Sequence, residues 1–527
     1  MLGGLIFRNP CLVWVVQLVK PSLREHSSLP ESGYINYRCV VVFASQGSHV
    51  DARRRGDPVR MLTPRLACGS HHTVCVSANG VAYVWGGGSA VRSSEHDTDD
   101  DGCLPYLGLG AEHASPVPRP LPIPLNIRVR SCAAGPQHTL LLTEDGGVYS
   151  MGCGRYGRLG HGNELAITSP RRIARLGGNP GQPSGDASTA DPAVRVFAGG
   201  SHSMVLGASG RLYSFGSGVN GRHGHGEASN QWLPRWLEGP LSAAVVRDAA
   251  AGVSHSLAIT SDGVLYTWGA GGSGQLGLGR VPPEYLRRTP TYVEHLRDVP
   301  IVRASVGTAH TLAISASGEL YSFGFGVAGR LGHGHREDVH VPSRVEGLAG
   351  RRVCAAIAAD EHSVALTEEG QVYTFGGNAR GRLGLGAPLP APALPPRVCT
   401  VLERHLSTAA AAEEAKAQVM STFAFGRERS GRYDQPTDLI AIGRGRDESA
   451  LLPRAVGGLH KIPVVEIAAG SHHTLVCLAG GEVRACGAHE LLGRPWLADD
   501  GADSSSFARV ELPPPSAVEV GAGPPAS

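Results

Sequence analysis

Histidine returns along this chain at long, regular intervals, so its chemistry is weighed first. His72, His138, His202, His255, His310, His362 and His473 all precede Ser or Thr. Imidazole nitrogens are good transition-metal ligands. These seven, however, stand 52 to 111 residues apart, one to a repeat, and would be set around a ring rather than converge on one ion. The reading adopted is structural: each imidazole ties a tight turn to neighbouring backbone. His223-x-His225 and His333-x-His335 are closer pairs, and i and i+2 share one strand face. Each lies in a Gly-rich step without a third ligand, so they too are read as structural. Arginine recurs at one place in the repeat: Arg158, Arg222, Arg330, Arg382 and Arg432, with Gln275 there once. Repetition would set these residues at one height, a candidate ring for an acidic partner or a phosphate. The competing reading is a long side chain bonding its own turn, which Gln could do as well. Gly216–Gly221 and Gly269–Gly274 match G-x-G-x-x-G, but a dinucleotide loop must open a helix, and strand and turn follow here. No P-loop, nucleophile elbow, H-E-x-x-H or kinase signature occurs. No catalytic residue, cofactor site or metal site is therefore assigned, and the chain is not read as an enzyme.

The elements that position these residues follow from the repeat. Ala251–Gly279 reads AGVSHSLAITSDGVLYTWGAGGSGQLGLG, and Val306–Gly334 reads VGTAHTLAISASGELYSFGFGVAGRLGHG. The pattern returns at Gly135–Gly162 and Gly199–Gly226, and at Ala359–Gly386 with Asp360 taken as replacing the opening Gly. Weaker copies start at Gly69 and Gly470. The last gap between repeat histidines is about two periods, and Thr422–Arg432 resembles the second half of an eroded eighth unit. HSLAIT alternates apolar and polar residues, which predicts a strand with one buried face. Asp262-Gly263 predicts a two-residue hairpin turn, and VLYTWG the returning strand. Four short strands per unit cannot bury their own faces, but radial stacking of such sheets can.

These units resemble regulator of chromosome condensation repeats over roughly residues 62–493. The resemblance implies an all-β fold, a seven-bladed β-propeller of four-stranded antiparallel blades. Eight unit-like segments exceed seven blades, so closure is expected to pair strands from the two ends. Leu402–Ser421 is Ala-rich and predicts a helical insertion. Residues 1–60 are read as an extension, faintly repeat-like at Cys39–Gly47. Residues 61–498 are read as the propeller, and 499–527 as a disordered low-complexity tail.

Composition bounds the function. There are 48 Lys and Arg against 46 Asp and Glu, so no broad field draws in nucleic acid or an anionic membrane. The 11 cysteines form no C-x-x-C pair, which fits a reducing compartment and a cytoplasmic location, with the nucleus as the alternative. Cys11–Val19 is apolar but too short to span a bilayer, so residues 1–30 are at most a targeting segment for an organelle. The resemblance implies three functions: a scaffold presenting loops of one face to a protein partner, nucleotide exchange on a small GTPase, or chromatin binding. The scaffold is the reading adopted. Exchange in the founding member needs an inserted wedge, and the corresponding stretch, Tyr213–Gly226, has no insertion. The longer loops, Ser93–Gly102 and Gly177–Pro192, lie elsewhere. Chromatin binding would be supported by a basic tail, and only Arg53–Arg55 is present. Photoreception of the plant ultraviolet-B kind depends on a tryptophan cluster and a G-W-R-H-T motif. That motif is missing, and Trp85 and Trp268 hold ordinary repeat positions.

Overall fold

The computed structural model describes residues 8–9, 12–13, 65–87, 107–110, 114–174, 191–280, 286–386, 449–457, 459, 463–488, 491, 504–510 and 512. The chain divides into two units. In the first, Met1–Val41, Arg8–Asn9 pairs antiparallel with Leu12–Val13. The second, Val42–Ser527, holds seven four-stranded antiparallel sheets, each built from four consecutive strands.

Blade 1 is Leu66–Cys68, His72–Val76, Ala82–Gly86 and Ser115–Pro120. Blade 2 is Val129–Ala134, His138–Thr143, Val148–Gly152 and Ile167–Arg172. Blade 3 is Ala193–Ala198, His202–Gly207, Leu212–Gly216 and Gln231–Trp236. Blade 4 is Val246–Ala251, His255–Thr260, Leu265–Ala270 and Leu286–Tyr292. Blade 5 is Ile301–Val306, His310–Ser315, Leu320–Gly324 and Val339–Arg344. Blade 6 is Val353–Ala358, His362–Thr367, Val372–Gly376 and Ala450–Ala455. Blade 7 is Val464–Ala469, His473–Leu478, Val483–Gly487 and Ser504–Arg509. First strands of adjacent blades contact one another, including those of blades 7 and 1, so they form the inner wall of a closed seven-bladed propeller.

The core is divided in the same way. Each hydrophobic cluster fills the gap between two neighbouring blades, for example Leu257, Ile259 and Val293 of blade 4 against Ala313 and Phe323 of blade 5. A second strand is therefore sandwiched on both sides. The expectation of one buried face is corrected here, because all six residues of His255–Thr260 are buried. Its polar face does not meet water and must bond within the protein. The Asp262-Gly263 turn forms as expected: Gly263 takes φ +89 and donates to the Thr260 carbonyl at 2.9 Å.

Closure differs from the expectation of strands paired from the two ends. No blade mixes them, and the seam of blades 7 and 1 is held by hydrogen bonds. The Glu466 carboxylate accepts from the backbone N–H groups of Arg65 (2.7 Å) and Leu66 (2.9 Å). Trp85 Nε1 donates to the Leu491 carbonyl at 3.0 Å. The count also resolves differently. The seven His-marked units make the seven blades, and the fourth strand of blade 6 comes from Ala450–Ala455 rather than from an eighth unit. The eroded unit, Arg432, the helical insertion at 402–421, Ser93–Gly102 and all of the Gly177–Pro192 loop but its last two residues lie outside the described residues. The tail boundary at 499 is corrected too, since Ser504–Arg509 pairs with the third strand of blade 7 and completes it.

Candidate interaction surface

Seven hydrogen bonds join the repeat histidines to the next blade around the whole ring. Nε2 of His72 meets the hydroxyl of Thr139 at 2.8 Å, and His138 meets Ser203 at 2.9 Å. His202 meets Ser256 at 2.7 Å, His255 meets Thr311 at 3.0 Å, and His310 meets Ser363 at 2.9 Å. His362 meets Thr474 and His473 meets Thr73, both at 2.8 Å, which closes the circle. The expected partner was neighbouring backbone. The actual partner is the Ser or Thr that directly follows the next blade's own histidine.

The proton positions follow from counting donors. At five joints the hydroxyl donates its one hydrogen to a carbonyl of the preceding blade, as Thr311 does to Gln275 at 2.8 Å and Ser256 to Arg222 at 2.7 Å. The same hydroxyl must then accept from the imidazole, so Nε2 carries the proton and Nδ1 is bare. All seven Nδ1 atoms lack a hydrogen-bond partner. Burial keeps these rings neutral: it pushes His72 down to about 4 and His255 and His473 to about 3, and takes the other four well below the usual value. Six of the seven rings also pack on the glycine three residues before them. A Cβ at Gly135 would lie 2.6 Å from His138 Cε1 and 2.4 Å from the Gly199 carbonyl of the next blade. In blade 6 that place belongs to Ala359, not to Asp360, which follows it.

The arginines complete the joints. Arg158, Arg222, Arg330 and Arg382 are 1–4 % exposed. Nε of Arg330 donates to the Val327 carbonyl of its own turn at 2.9 Å, and Nη1 crosses to the Asp360 carbonyl of blade 6 at 2.6 Å. Arg222 repeats this with Val219 and Val253, and Arg382 reaches the Ser471 carbonyl. Gln275 bonds its own turn through Ser273 N–H at 2.9 Å. These four guanidiniums are therefore spent inside the ring rather than displayed as a basic annulus. The close His pairs are likewise occupied. His223 Nε2 donates to the Ser229 carbonyl at 2.8 Å, while His225 and His333 bond the hydroxyls of Ser214 and Ser322. His335 accepts the Glu337 N–H at 3.2 Å through Nδ1. Among the described residues no group of three or more His, Cys, Asp or Glu is arranged to hold a metal.

What the frame leaves for recognition is the pair of residues just before each histidine. They form the turn from first to second strand, and blade equivalence puts all seven turns at one end of the ring. The pairs are Ser70-His71, Pro136-Gln137, Gly200-Ser201, Val253-Ser254, Thr308-Ala309, Asp360-Glu361 and Ser471-His472. All but Gly200 are partly exposed. Their chemistry changes from blade to blade while the flanking Gly and His stay nearly fixed. At the seam the rings of His71 and His472 lie 6.3 Å apart, and burial with Arg382 nearby takes His472 down to about 4. Beside them Glu361 pairs with Arg382 at 2.8 Å. The sequence reading passed over this mouth. Its only signal there was that the two variable positions of G-x-x-H change from unit to unit, with Ser-His alone occurring twice.

The description "RCC1-like domain" matches residues 46–362, and "Regulator of chromosome condensation (RCC1) repeat" matches 360–382 and 464–490. The human E3 ubiquitin-protein ligase HERC2 is 32% identical over 345 residues, 65% of this chain but 6% of that protein. The ultraviolet-B receptor UVR8 of Arabidopsis thaliana is 31% identical over 326 residues, 61% of this chain and 66% of the receptor. This chain thus spans a small part of the ligase and just under two thirds of the receptor. Among solved structures, Prp20p of Saccharomyces cerevisiae superposes with a TM-score of 0.60 at 22% identity, covering 83% of this chain and 87% of that one. Human WBSCR16 superposes at 0.56 with 21% identity, covering 76% and 86%. At these identities the structural likeness speaks for the fold.

Proposed function

This chain belongs to the RCC1-like domain family, and from that premise we propose that it is a non-catalytic platform that binds a protein partner at the mouth formed by its seven first turns. The observation that carries this is the contrast within each repeat. The Gly, His, hydroxyl and Arg of the frame recur because their bonds are the joints, while the two residues before the His take six different forms in seven blades, Ser-His alone occurring twice, in the neighbouring blades 1 and 7. A fixed frame carrying varied, partly exposed residues at one end is how a binding site is grafted onto a shared fold. Regulation of a small GTPase is the second reading. It is favoured by the likeness to Prp20p, whose structure is described with binding properties to Gsp1p and histones. Against catalysed exchange stands the stretch Tyr213–Gly226, where strand runs straight into a tight turn around buried Arg222 and His223. Among the described residues no helix is long and apolar enough to cross a membrane. We keep the cytoplasm as the proposed location, with the nucleus as the alternative.

The test is a triple substitution, Ser201→Glu, Ser254→Glu and Ala309→Glu. Glu361 already occupies the equivalent place in blade 6, so the frame accepts this side chain. Partners found by proximity labelling are rebound with purified full-length protein. Their binding should weaken by roughly tenfold or more, as expected when three charges without counter-charges are set into an interface, with the melting temperature unchanged. Binding that survives the triple variant intact would remove the mouth as the site.

A further inference from the structure

Each blade ends in a fourth strand whose outer side is a sheet edge. In all seven blades the residue after that strand donates its N–H to the carbonyl at the start of the third strand, as Leu237 does to Leu212 at 2.8 Å and Val510 to Val483 at 2.9 Å. Residues of an antiparallel strand face their partner and the outside in alternation. Counting back, Arg235 and Ala508 face the third strand, and the residues on either side of them turn their backbone groups outward. In six blades the first of these outward residues is a proline: Pro118, Pro170, Pro234, Pro290, Pro342 and Pro453. Proline has no N–H, so on an edge it withholds the donor to which another chain would pair. In blade 7 that place belongs to Phe507. This edge therefore presents two outward donors, Phe507 and Arg509, about 7 Å apart, the spacing at which an added strand bonds.

The exchange of proline for phenylalanine has a packing cause. The third-strand residue paired with the hydroxyl after the repeat His is Phe215, Trp268, Phe323 and Phe375 in blades 3 to 6, but Cys486 in blade 7. Phe375 packs on Gly332 of the preceding blade's turn, and Phe507 takes the equivalent place on Gly384 beside Cys486. The Phe507 ring is thus held inside while its backbone stays on the rim. Among the described residues no strand pairs on the outer side of Ser504–Arg509. Arg509 is exposed there, and Arg484, opposite it in the ladder, bonds Glu482 at 2.8 Å. The described edge therefore offers a positive charge beside its donors. We propose that the outer edge of blade 7 is a strand-addition site for an extended acidic segment of a partner protein. The segment's backbone pairs with Phe507 and Arg509, and its carboxylate meets the Arg509 guanidinium. The site lies on the rim, on the strand of its sheet farthest from the inner wall. Its failure leaves the mouth untouched, and the reverse.

The test is titration of the full chain with a capped, dye-labelled octapeptide that alternates valine and glutamate, read by fluorescence anisotropy. Saturable binding is expected, with hydrogen exchange of the Ser504–Arg509 amides slowed in the complex. The same peptide N-methylated at two adjacent central amides cannot pair along either edge, and it should bind roughly tenfold more weakly or worse. Replacing its glutamates by lysines should weaken it likewise. Cys486→Phe with Phe507→Pro rebuilds the arrangement of blade 6, filling the core and removing the outward donor, and should abolish binding with the melting temperature kept. Arg509→Glu, an exposed change, should weaken binding by roughly tenfold, and it remains decisive if the double variant fails to fold. No saturable binding, equal binding of the N-methylated peptide, or unchanged binding by a folded double variant would overturn the site. Equal binding of the lysine peptide would overturn the acidic partner. A dimer in sedimentation that the double variant abolishes would assign the edge to a second copy of this chain and overturn the proposed occupant.

Discussion

Deleting one imidazole from the ring separates a structural joint from any ligand role. In His255→Ala the Nε2–H···Thr311 bond of 3.0 Å is lost, while Thr311 keeps its 2.8 Å bond to the Gln275 carbonyl. A net neutral hydrogen bond is worth about 1 kcal/mol. The ring is fully buried, so its removal also leaves a cavity. Truncations of this size add about 2–3 kcal/mol. The expected cost is therefore about 3–4 kcal/mol, above the roughly 1–3 kcal/mol that stranded turn groups alone would give. Thr311→Val makes no cavity but strands both the imidazole N–H and the Gln275 carbonyl, for about 2–3 kcal/mol. The double variant should cost less than the sum by about 1 kcal/mol, because the shared bond is counted once. Urea unfolding at pH 8 measures all three, provided the slope against denaturant is unchanged. Additive effects, or a loss under about 1 kcal/mol for His255→Ala, would refute the joint. A chelator that lowered the melting temperature of the parent protein would instead restore the metal reading.

Four further outcomes follow from the same frame. Because burial lowers the folded-state pKa of His72, His255 and His473 to about 3–4 and takes the other four repeat histidines well below the usual value, the unfolded chain binds protons first, and stability is present above about pH 6.5 and falls below it. At pH 5.5 each joint loses about 1.4 kcal/mol, so a urea midpoint measured against pH should collapse between about pH 6 and 5. A flat profile there would show that the rings are not held neutral. Gly135→Ala sets a Cβ 2.4 Å from the Gly199 carbonyl. It should cost about 2–3 kcal/mol as overpacking, whereas Gly239→Ala, with nothing near but φ +85, reports backbone strain alone. Arg330→Gln should be milder than Arg330→Ala in thermal unfolding, because Gln275 already serves the turn in blade 4; equal losses would mean that the turn bond is idle. The purified chain should leave the rate of labelled GDP release from Ran at its intrinsic value, and saturable acceleration would show that an exchange element was overlooked.

Local sequence determined each blade. Glycine after Asp or Ser sets the hairpin, alternation marks the strands, and the recurrence of Gly-x-x-His with Ser or Thr fixes where every blade begins, because these are forces between residues a few positions apart. It also marked the histidines and arginines as parts of a repeated device rather than as ligands. Only the closed ring decided what they touch. His255 and Thr311 are 56 residues apart and His473 and Thr73 are 400 apart, so no local pattern links them. The same holds for the fourth strands at Ala450–Ala455 and Ser504–Arg509, which pair across long stretches of chain; Ala450–Ala455 keeps the Pro of the other fourth strands at Pro453, and Ser504–Arg509 carries none. The mouth is further still from the pattern. The pairs before the repeat histidines look like unrelated residues scattered along the chain. They become neighbours because radial packing sets equivalent positions of successive blades at one height.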